Sequence, residues 1–478
     1  MSRLLQFCFG PLLCSHTSVT HCRHKPSEPT ARHFTIRPWE GEVDLVDFVP
    51  PVQAALSTAQ DQDRIRDMFP RMRAINPQVA VMSSKARPKR VRIFMVPGGQ
   101  KPQKRKMEHI ADIGELHFLV KNEEKGDLRK DARVQDLNNV INRLLASSKK
   151  GSQNRRRLHL RTFAVTCLSE DCGILEWVPH TESFRGLVSK TFNPQAMPTS
   201  HRRRGKRLGN FGDPSLRQTF DKCQAIYFKN GNLTQAAAMF EDICLRNYPP
   251  LFYWWFVQNF LDPHSWYEAR TRFTHSAAVW SAVGHVIGLG DRHSENILID
   301  TSSGACVHVD FDCIFDKGLT LPKPEVIPFR LTSNIVDAFG PIGADGVFKS
   351  SLKTAMATLR DNRDTLLSVL EPFLKDPIID WKKHRSQQKQ GKAGTSAKES
   401  QDAKQSMQII EERLRGIYNL RNPNHKKITR TDLVSNSEDD DMTHLLPLSV
   451  EGQVDKMISE ATSSENLLQC YVGWMPWI

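Results

Sequence analysis

The chain has 478 residues, of which 39% are hydrophobic, and this length allows about two to four domains at roughly 100–200 residues each. Its 66 Lys and Arg residues outnumber its 53 Asp and Glu residues and give a net charge of +13, which favours phosphate-bearing ligands, nucleic acid or acidic partners. Ten cysteines without a CxxC pair exclude a zinc knuckle and favour free thiols in a reducing compartment. No run of about 18 apolar residues is present, so no transmembrane segment is expected.

The N-terminal residues give little sign of a packed fold. Residues 1–35 are predicted to be an unstructured tail, because the apolar stretch from Leu4 to Leu13 is not followed by the small-residue cleavage site of a signal peptide. Residues 36–80 are predicted to be a helical segment, on the amphipathic pattern from Val52 to Met72.

A strand-rich region is predicted next. Strands are expected at Val91 to Val96, Leu116 to Lys121, Leu158 to Leu168 and Gly173 to Val178, with a helix at Asp131 to Leu145 between the second and third. A basic run from Arg202 to Arg207 then offers a candidate nuclear import signal.

The following residues are helical in pattern up to a predicted β-hairpin. Residues 215–290 include an apolar helix from Ala277 to Ile287, which the glycines after it should end. Strands are then predicted at Asn296 to Ile299 and Cys306 to Phe311, joined by a turn. Strands first and helices second, with a hairpin near the junction, predict a two-lobed α+β enzyme.

The C-terminal part is predicted to be helical with one interruption. Helices should continue from Pro328 to about Trp381. Residues 383–405 are rich in Lys, Gln, Ser and Gly and predict a disordered linker. A helix from Met407 to Leu420 follows, and the chain ends in a compact apolar tail.

The hairpin carries a constellation of residues suited to phosphoryl transfer. Asp291 and Asn296 are separated by the five positions that link the base and a metal ligand in the protein-kinase H-R-D-x-x-x-x-N pattern, although His293 lies on the other side of the Asp. Asp310 closes the second predicted strand and precedes Phe311, as in the D-F-G pattern. Asn296 begins the first predicted strand and Asp310 ends its antiparallel partner. The two residues should therefore lie close together at one end of the ladder, beside Asp291.

These segments resemble the phosphatidylinositol-3-kinase-related protein kinases, most closely the DNA-damage checkpoint branch of that family. The resemblance covers roughly residues 80–380 and 405–478. It rests on Gly288 to Leu298, His308 to Phe311, Asp127 to Asp131, Pro328 to Thr332, Leu446 to Gly452, and an ending, Glu465 to Trp477, that is similar to the FATC tail of the family.

The resemblance implies a kinase fold and its division along the chain. It implies a kinase N-lobe and hinge at 81–178, a C-lobe at 179–382, a helical regulatory segment at 406–445 and a FATC segment at 446–478. Five apolar residues of the FATC segment are expected to pack against the activation-loop side of the C-lobe: Leu467, Leu468, Tyr471, Trp474 and Trp477.

The resemblance also implies a role for each matching residue. Asp291 would be the catalytic base and His293 would contact the γ-phosphate or the transition state. Asn296 and Asp310 would hold Mg²⁺ or Mn²⁺. The remaining positions would bind ATP: Ser83, Ser84 and Lys85 in a phosphate loop, Lys121 on the phosphates with Asp131 as its acidic partner, and Glu176, Trp177 and Val178 in the hinge.

The activity implied is that of a non-specific serine/threonine protein kinase. Its substrates would be proteins with Ser-Gln or Thr-Gln sites, phosphorylated in the nucleus in DNA-damage or replication-stress checkpoint signalling. A regulatory partner protein is expected, and contact with DNA should be indirect, since no nucleic-acid-binding signature accompanies the basic charge.

Three choices stay open on the sequence alone. Lys125 rivals Lys121, because the spacing from Lys121 to the Leu128-Arg129 motif is longer than is usual in the family. Glu124 and Asp127 rival Asp131 as the partner of the lysine. A phosphoinositide lipid kinase and a catalytically reduced binding module are the alternatives to a protein kinase, although the nearly neutral loop between Asp310 and Pro328 favours a protein substrate.

Overall fold

A computed structural model of the chain forms two compact units. Unit 1 comprises residues 1–136, 162–179 and 377–390, and unit 2 comprises residues 137–161, 180–376 and 391–478. The structure describes residues 31–35, 71–76, 78–82, 87–96, 114–122, 128–147, 158–169, 172–192, 214–245, 248–375, 395–418 and 447–478. Within these ranges no helix combines the length and apolar character needed to cross a membrane.

Unit 1 is built on an antiparallel sheet of seven strands. The strands run in the order β1-β3-β4-β5-β7-β6, and β2 also pairs with β4. Their bounds are β1 Ala31–Thr35, β2 Arg71–Ile75, β3 Gln78–Met82, β4 Lys89–Val96, β5 Glu115–Asn122, β6 Val165–Cys167 and β7 Cys172–Glu176. Val91 opposes Phe118 in the register, and both side chains are fully buried. The alternation read from the sequence therefore gives the core face of this sheet.

Two N-terminal predictions are wrong where the structure describes the chain. Residues 31–35, assigned to an unstructured tail, form β1 and pair with β3. Residues 71–75, at the end of the predicted helical segment, form β2 and pair with β4. Pro70 and Pro77 leave too short a stretch for a helix, and pairing with β4 buries Met72. The rest of the predicted helix, up to residue 70, lies outside the described residues.

The helix that follows β5 is longer than predicted. This helix, named α1, spans Leu128–Ser147. Val134, Leu137, Ile141 and Leu145 are buried, as their spacing predicts, whereas Leu144 is only half-buried.

The strand predicted from Leu158 to Leu168 is reduced to β6. The Nδ2 of Asn142 on α1 donates to the carbonyl oxygen of Leu160 at 2.8 Å, and the Leu160 N–H donates to Asn142 Oδ1 at 2.8 Å. One side-chain amide thus takes both main-chain groups that a neighbouring strand would otherwise pair, which explains why a ladder does not form there.

Unit 2 is mainly helical around a small sheet. The small sheet has the order β10-β9-β8. Its strands are β8 Thr181–Ser183, β9 Ile297–Asp300 and β10 Cys306–His308. The helices are α2 Phe184–Thr191, α3 Pro214–Asn230, α4 Leu233–Met239, α5 Phe252–Asn259, α6 Pro263–Ile287, α7 Ser333–Ala338, α8 Val347–Asp361, α9 Arg363–Lys375, α10 Thr395–Arg415, α11 Val450–Thr462 and α12 Ser464–Gln469, with a π-helical turn at Phe240–Leu245 and 3₁₀ turns at Lys317–Thr320, Gly343–Asp345 and Val472–Trp474.

The long helix α6 delivers the chain to the predicted catalytic segment. It begins with Asp262, whose carboxylate accepts the Ser265 N–H at 2.8 Å, and with Pro263 in its first turn. It ends at Gly288, which has a left-handed φ of 60°. A Cβ at this position would lie 2.6 Å from the backbone nitrogen of Asp316, so the residue after the helix must be glycine both for its conformation and for its space.

The predicted hairpin forms directly after this segment. Ile299 pairs with Cys306 and Ile297 with His308. The Asp300 carboxylate accepts the N–H groups of Ser302 and Ser303 and so closes the turn. The hairpin prediction is confirmed, with its second strand ending at His308 rather than at Phe311.

The linker prediction for residues 383–405 is wrong from residue 395 onward, where helix α10 begins. The composition is polar, but Ile410 and Leu414 are buried later in the same helix. Arg413 also forms a salt bridge of 2.8 Å with Asp316, and both side chains are nearly inaccessible to solvent. Packing of the C-terminal half of α10 thus stabilises a helix that begins within the predicted linker.

The C-terminal segment packs into unit 2. Four of the five apolar residues named for it are buried: Leu467, Leu468, Trp474 and Trp477. The ring of Trp477 lies 5.1 Å from that of Phe220 on α3. The fifth residue, Tyr471, was expected to pack with them but is 58% exposed. It lies between α12 and the 3₁₀ turn at Val472–Trp474, where its side chain faces solvent.

We expect Trp477→Ala to lower the free energy of unfolding by about 3–5 kcal/mol, because it removes a buried ring and leaves a cavity beside Phe220. Tyr471→Ala is the matched control in the same segment and should change it by less than about 0.5 kcal/mol, since its ring is largely in solvent. Denaturant unfolding of the full chain measures both, and equal losses would contradict the packing described.

Candidate functional site

Asp291 lies in the turn after α6 and has a left-handed backbone, with φ of 56°. Its N–H donates to Oε2 of Glu325 at 2.7 Å. Its carbonyl oxygen accepts from Nδ2 of Asn296 at 3.0 Å. A non-glycine residue is strained in this conformation. The two hydrogen bonds therefore hold the main chain of Asp291 from both sides.

The buried guanidinium of Arg292 joins this turn to the residues after β10. Its Nε donates to the carbonyl oxygen of Gly290 at 2.9 Å, and its Nη1 donates to that of Val309 at 2.9 Å. Its Nη2 donates to the carbonyl oxygen of Asp310. Burial lowers the pKa of Arg292, and the charges of Asp310 and Asp291 oppose that shift. Three main-chain acceptors thus compensate a guanidinium that has lost its water.

The hairpin brings Asn296 and Asp310 to one end of the ladder. The Val309 N–H donates to the carbonyl oxygen of Asn296 at 3.1 Å, one step beyond the Ile297–His308 pair. Asp310 follows with a left-handed φ of 64°. The structure therefore brings together Asp291, Asn296 and Asp310, as the spacing predicts.

His293 lies beside the carboxylate of Asp291. Its Nε2 is 3.9 Å from Asp291 Oδ2, and its Nδ1 accepts the N–H of Glu295 at 3.2 Å. Because Nδ1 is an acceptor, the neutral ring carries its proton on Nε2. Burial lowers the pKa of His293 and Arg292 adds to that shift, while Asp291 opposes it. The imidazole is therefore neutral near pH 7.

Electrostatics at Asp291 favour its use as a proton acceptor. Burial raises the pKa of its carboxyl, and His293 and Arg292 oppose that shift. Asp310 and Asp312 raise it further. A carboxylate with a raised pKa holds a proton more readily, as a general base requires.

The oxygens of Asn296 and Asp310 fit a hard divalent cation. Because Asn296 uses its Nδ2 on Asp291, its Oδ1 is the atom that remains to coordinate. Among the described residues the Asp310 carboxylate has neither a hydrogen bond nor a salt bridge. Mg²⁺ is commonly held by one or two protein oxygens together with phosphate and water. The described ranges contain no cluster of three His, Cys, Asp or Glu side chains able to hold a metal on its own.

In unit 1, Lys121 and the first turn of α1 share one face of the sheet. Lys121 lies opposite Gly173 in the register of β5 and β7, so their side-chain positions point to the same side. A Cβ on Gly173 would lie 3.1 Å from Cδ1 of Leu128, the first residue of α1. Gly173 therefore lets the start of α1 approach the face that carries Lys121. Asp131, one turn further along α1, is buried.

The predicted hinge residues follow β7 in the same unit. The Trp177 N–H donates to the carbonyl oxygen of His117 at 2.9 Å, and the Arg90 guanidinium lies 4.3 Å from the centre of its ring. An adenine would therefore stack only on the opposite face of the indole. Glu176 accepts the Ala164 N–H on its carboxylate at 2.9 Å, and its own N–H donates to the carbonyl oxygen of Ala164 at 2.8 Å. Val178 is buried.

Several predicted ATP contacts lie outside the described residues. These are the phosphate-loop residues Ser83, Ser84 and Lys85, together with Lys125, Glu124 and Asp127, the rivals of Lys121 and Asp131.

Two site residues carry no local signal in the sequence. Glu325 was counted only as a charge of the loop, yet it binds the main chain of Asp291. Arg330 was noted only as part of a family motif, yet it is buried and its Nη1 donates to the carbonyl oxygen of Arg292 at 3.4 Å. Both reach the site from more than thirty residues away in the chain, so spacing rules could not find them.

Arg330 also connects the site to the C-terminal segment. Its Nη1 donates to Trp474 O at 2.7 Å, and its Nη2 donates to Met475 O at 2.9 Å and to Ile478 O at 2.7 Å. Its guanidinium carbon lies 4.0 Å from the centre of the Trp474 ring. Burial lowers the pKa of Arg330 to about 9. The same side chain thus touches the turn that contains Asp291 and Arg292 and the last residues of the sequence.

Comparison with known proteins places the chain in a family. Residues 115–383 match the family described as phosphatidylinositol 3- and 4-kinase, and residues 447–478 match the FATC domain. The chain is 37% identical over 410 residues to the serine/threonine-protein kinase ATR of Arabidopsis thaliana, covering 86% of this chain and 13% of that protein. It is 35% identical over 439 residues to the protein kinase rad3 of Schizosaccharomyces pombe, covering 90% of this chain and 16% of that protein.

The fold also matches a solved structure. The FAT and kinase domain of CtTel1 superposes with a TM-score of 0.64 at 23% identity, covering 90% of this chain and 25% of that one. The present chain spans only 13 to 16% of the length of the curated relatives named above. On the family match over more than half of its residues, this chain belongs to the phosphatidylinositol 3- and 4-kinase family and carries a FATC domain at its C-terminal side.

Proposed function

We propose that this chain is the catalytic region of a non-specific serine/threonine protein kinase. The observation that carries the proposal is the arrangement around Asp291, where a carboxylate with a raised pKa lies beside two metal-competent oxygens from Asn296 and Asp310. Such a set is what phosphoryl transfer requires of a protein.

We assign each of these residues a role in phosphoryl transfer. Asp291 accepts the proton of the substrate hydroxyl, and the neutral His293, whose Nε2 lies 3.9 Å from Asp291 Oδ2, contacts the γ-phosphate or the transition state. Asn296 and Asp310 hold the cation, and Lys121, with Asp131 as its partner, binds the phosphates. When bound, ATP supplies the transferred phosphoryl group and Mg²⁺ or Mn²⁺ neutralises its charge.

A protein substrate is favoured over a phosphoinositide by the loop after Asp310. All residues from 310 to 328 are described, and the loop contains two lysines. Lys317 forms a salt bridge of 2.8 Å with Asp312. Lys323 donates to Oε1 of Gln224 at 2.6 Å. The two lysines are outnumbered by Asp312, Asp316 and Glu325, so the loop lacks the run of basic residues that an inositol phosphate would require.

The checkpoint role is part of the proposal. On the family resemblance, we assign to this chain protein substrates with Ser-Gln or Thr-Gln sites, action in the nucleus in DNA-damage or replication-stress checkpoint signalling, and a regulatory partner protein. The relatives named above are themselves named as protein kinases. The basic run from Arg202 to Arg207 is the candidate import signal. Contact with DNA is assigned to the partner.

We expect the chain to transfer phosphate from ATP to a Ser-Gln peptide in the presence of Mg²⁺ or Mn²⁺, and to transfer little to phosphatidylinositol vesicles. Both substrates are offered in parallel with radiolabelled ATP. Transfer to the lipid alone would replace the proposal with a lipid kinase. Transfer to neither, with intact folding and measurable ATP binding, would replace it with a binding module.

Asp310→Asn should lower peptide phosphorylation by on the order of 100-fold to 1000-fold, since it removes the charge that holds the cation. Asp364→Asn is the matched control, because the Asp364 side chain is 88% exposed on α9, and it should leave the rate unchanged. Thermal unfolding of both variants separates catalysis from stability. An Asp310→Asn variant with full activity would contradict the metal assignment.

Lys121→Met should reduce ATP use far more than Lys125→Met, because Lys121 lies in a paired strand on the face that α1 approaches. The KM for ATP and the kcat of each variant measure the ranking. The reverse ranking would move the phosphate contact to Lys125.

A further inference from the structure

Glu325 holds a main-chain group of the proposed base. Its Oε2 lies 2.7 Å from the backbone nitrogen of Asp291. The carboxylate is enclosed by two glycines, since a Cβ on Gly290 would lie 3.0 Å and one on Gly318 would lie 3.1 Å from the same oxygen. The N–H of Glu325 in turn donates to the carbonyl oxygen of Gly318 at 3.1 Å. The absence of side chains at Gly290 and Gly318 therefore leaves the space that the Glu325 carboxylate occupies.

The hydrogen bond to Glu325 restrains Asp291, a residue with an unfavourable backbone conformation. Asp291 has a positive φ, and its carbonyl oxygen is already taken by Asn296, which also serves as a proposed metal ligand. Glu325 therefore supplies the remaining main-chain restraint, and it does so from the far end of the loop that begins at Asp310. A carboxylate acceptor gives a charge-assisted hydrogen bond, the stronger kind.

We propose that Glu325 is a positioning residue that fixes the direction of the Asp291 carboxylate, so that the order of the loop from Asp310 to Glu325 is required for proton transfer. This inference rests on the proposed kinase function. Glu325 touches no reacting atom, and its effect passes through the backbone of Asp291.

A rival role for Glu325 is compensation of buried positive charge. Its carboxylate acts on the pKa of both Arg292 and Arg330, the two buried guanidinium groups beside it. In that role the charge would matter and the acceptor geometry would not. The two roles are separable, because Glu325→Gln keeps an acceptor oxygen and removes the charge, whereas Glu325→Ala removes both.

We expect Glu325→Ala to lower kcat for the Ser-Gln peptide by about 10-fold to 100-fold without raising the KM for ATP, since small misplacements of a catalytic group have effects of this order. Glu325→Gln should stay within about threefold of the unchanged chain, because it retains the acceptor. The matched control is Glu411→Ala, which removes a half-exposed carboxylate paired with Arg415 and should leave kcat unchanged. Equal losses in Glu325→Gln and Glu325→Ala would overturn the positioning role in favour of charge compensation.

A second measurement does not depend on activity. Hydrogen–deuterium exchange, resolved to the Asp291 amide, should be faster in Glu325→Ala than in the unchanged chain and nearly unchanged in Glu325→Gln. If the unchanged chain transfers no phosphate, the proposed function fails while this exchange still tests the contact. If the chain is active but both kcat and Asp291 exchange are unaffected in Glu325→Ala, the inference is wrong and the proposed function stands.

Discussion

The left-handed backbone of Asp291 is the constraint on which the rest of the site depends. A non-glycine residue held there costs on the order of 1–3 kcal/mol. A hydrogen bond to a charged acceptor contributes about 1.5–3 kcal/mol and a neutral one about 0.5–1.5 kcal/mol, and Asp291 has one of each, from Glu325 and Asn296. The strain is thus offset by groups that belong to the site itself.

Asp310, like Asp291, has a strained backbone conformation that a hydrogen bond to its main chain stabilises. It also has a positive φ, and its carbonyl oxygen is held by Arg292. Because Arg292 donates to main-chain oxygens both before Asp291 and after β10, a shift of one aspartate would break bonds that fix the other. The proposed base and the proposed metal ligand are therefore set by one buried cation rather than by two independent turns. A buried guanidinium is costly without partners, which makes the three acceptors of Arg292 a strong restraint.

The C-terminal segment takes part in the same network of main-chain hydrogen bonds to buried guanidinium groups. Arg330 donates to the carbonyl oxygens of Arg292, Trp474, Met475 and Ile478. Loss of the last three acceptors would leave a buried cation with little compensation, and that cation touches the catalytic turn. The FATC match at residues 447–478 therefore has a physical meaning in this chain, since those residues complete the environment of the site.

The sequence predicts those parts of the fold and of the site in which the contacting residues are close together in the chain. Asn296 and Asp310 were placed correctly because a hairpin pairs them through neighbouring residues, and the turn at Asp300 reads directly from the sequence. Glu325 was missed because it reaches Asp291 through an irregular loop, where no period fixes which side chain points inward. Helix α10 was partly missed because its first turns are polar and its stability comes from buried residues near its end. Local pattern thus brings together the oxygens proposed to bind the metal, while the groups that hold Asp291 in place come from tertiary contacts that only the folded chain defines.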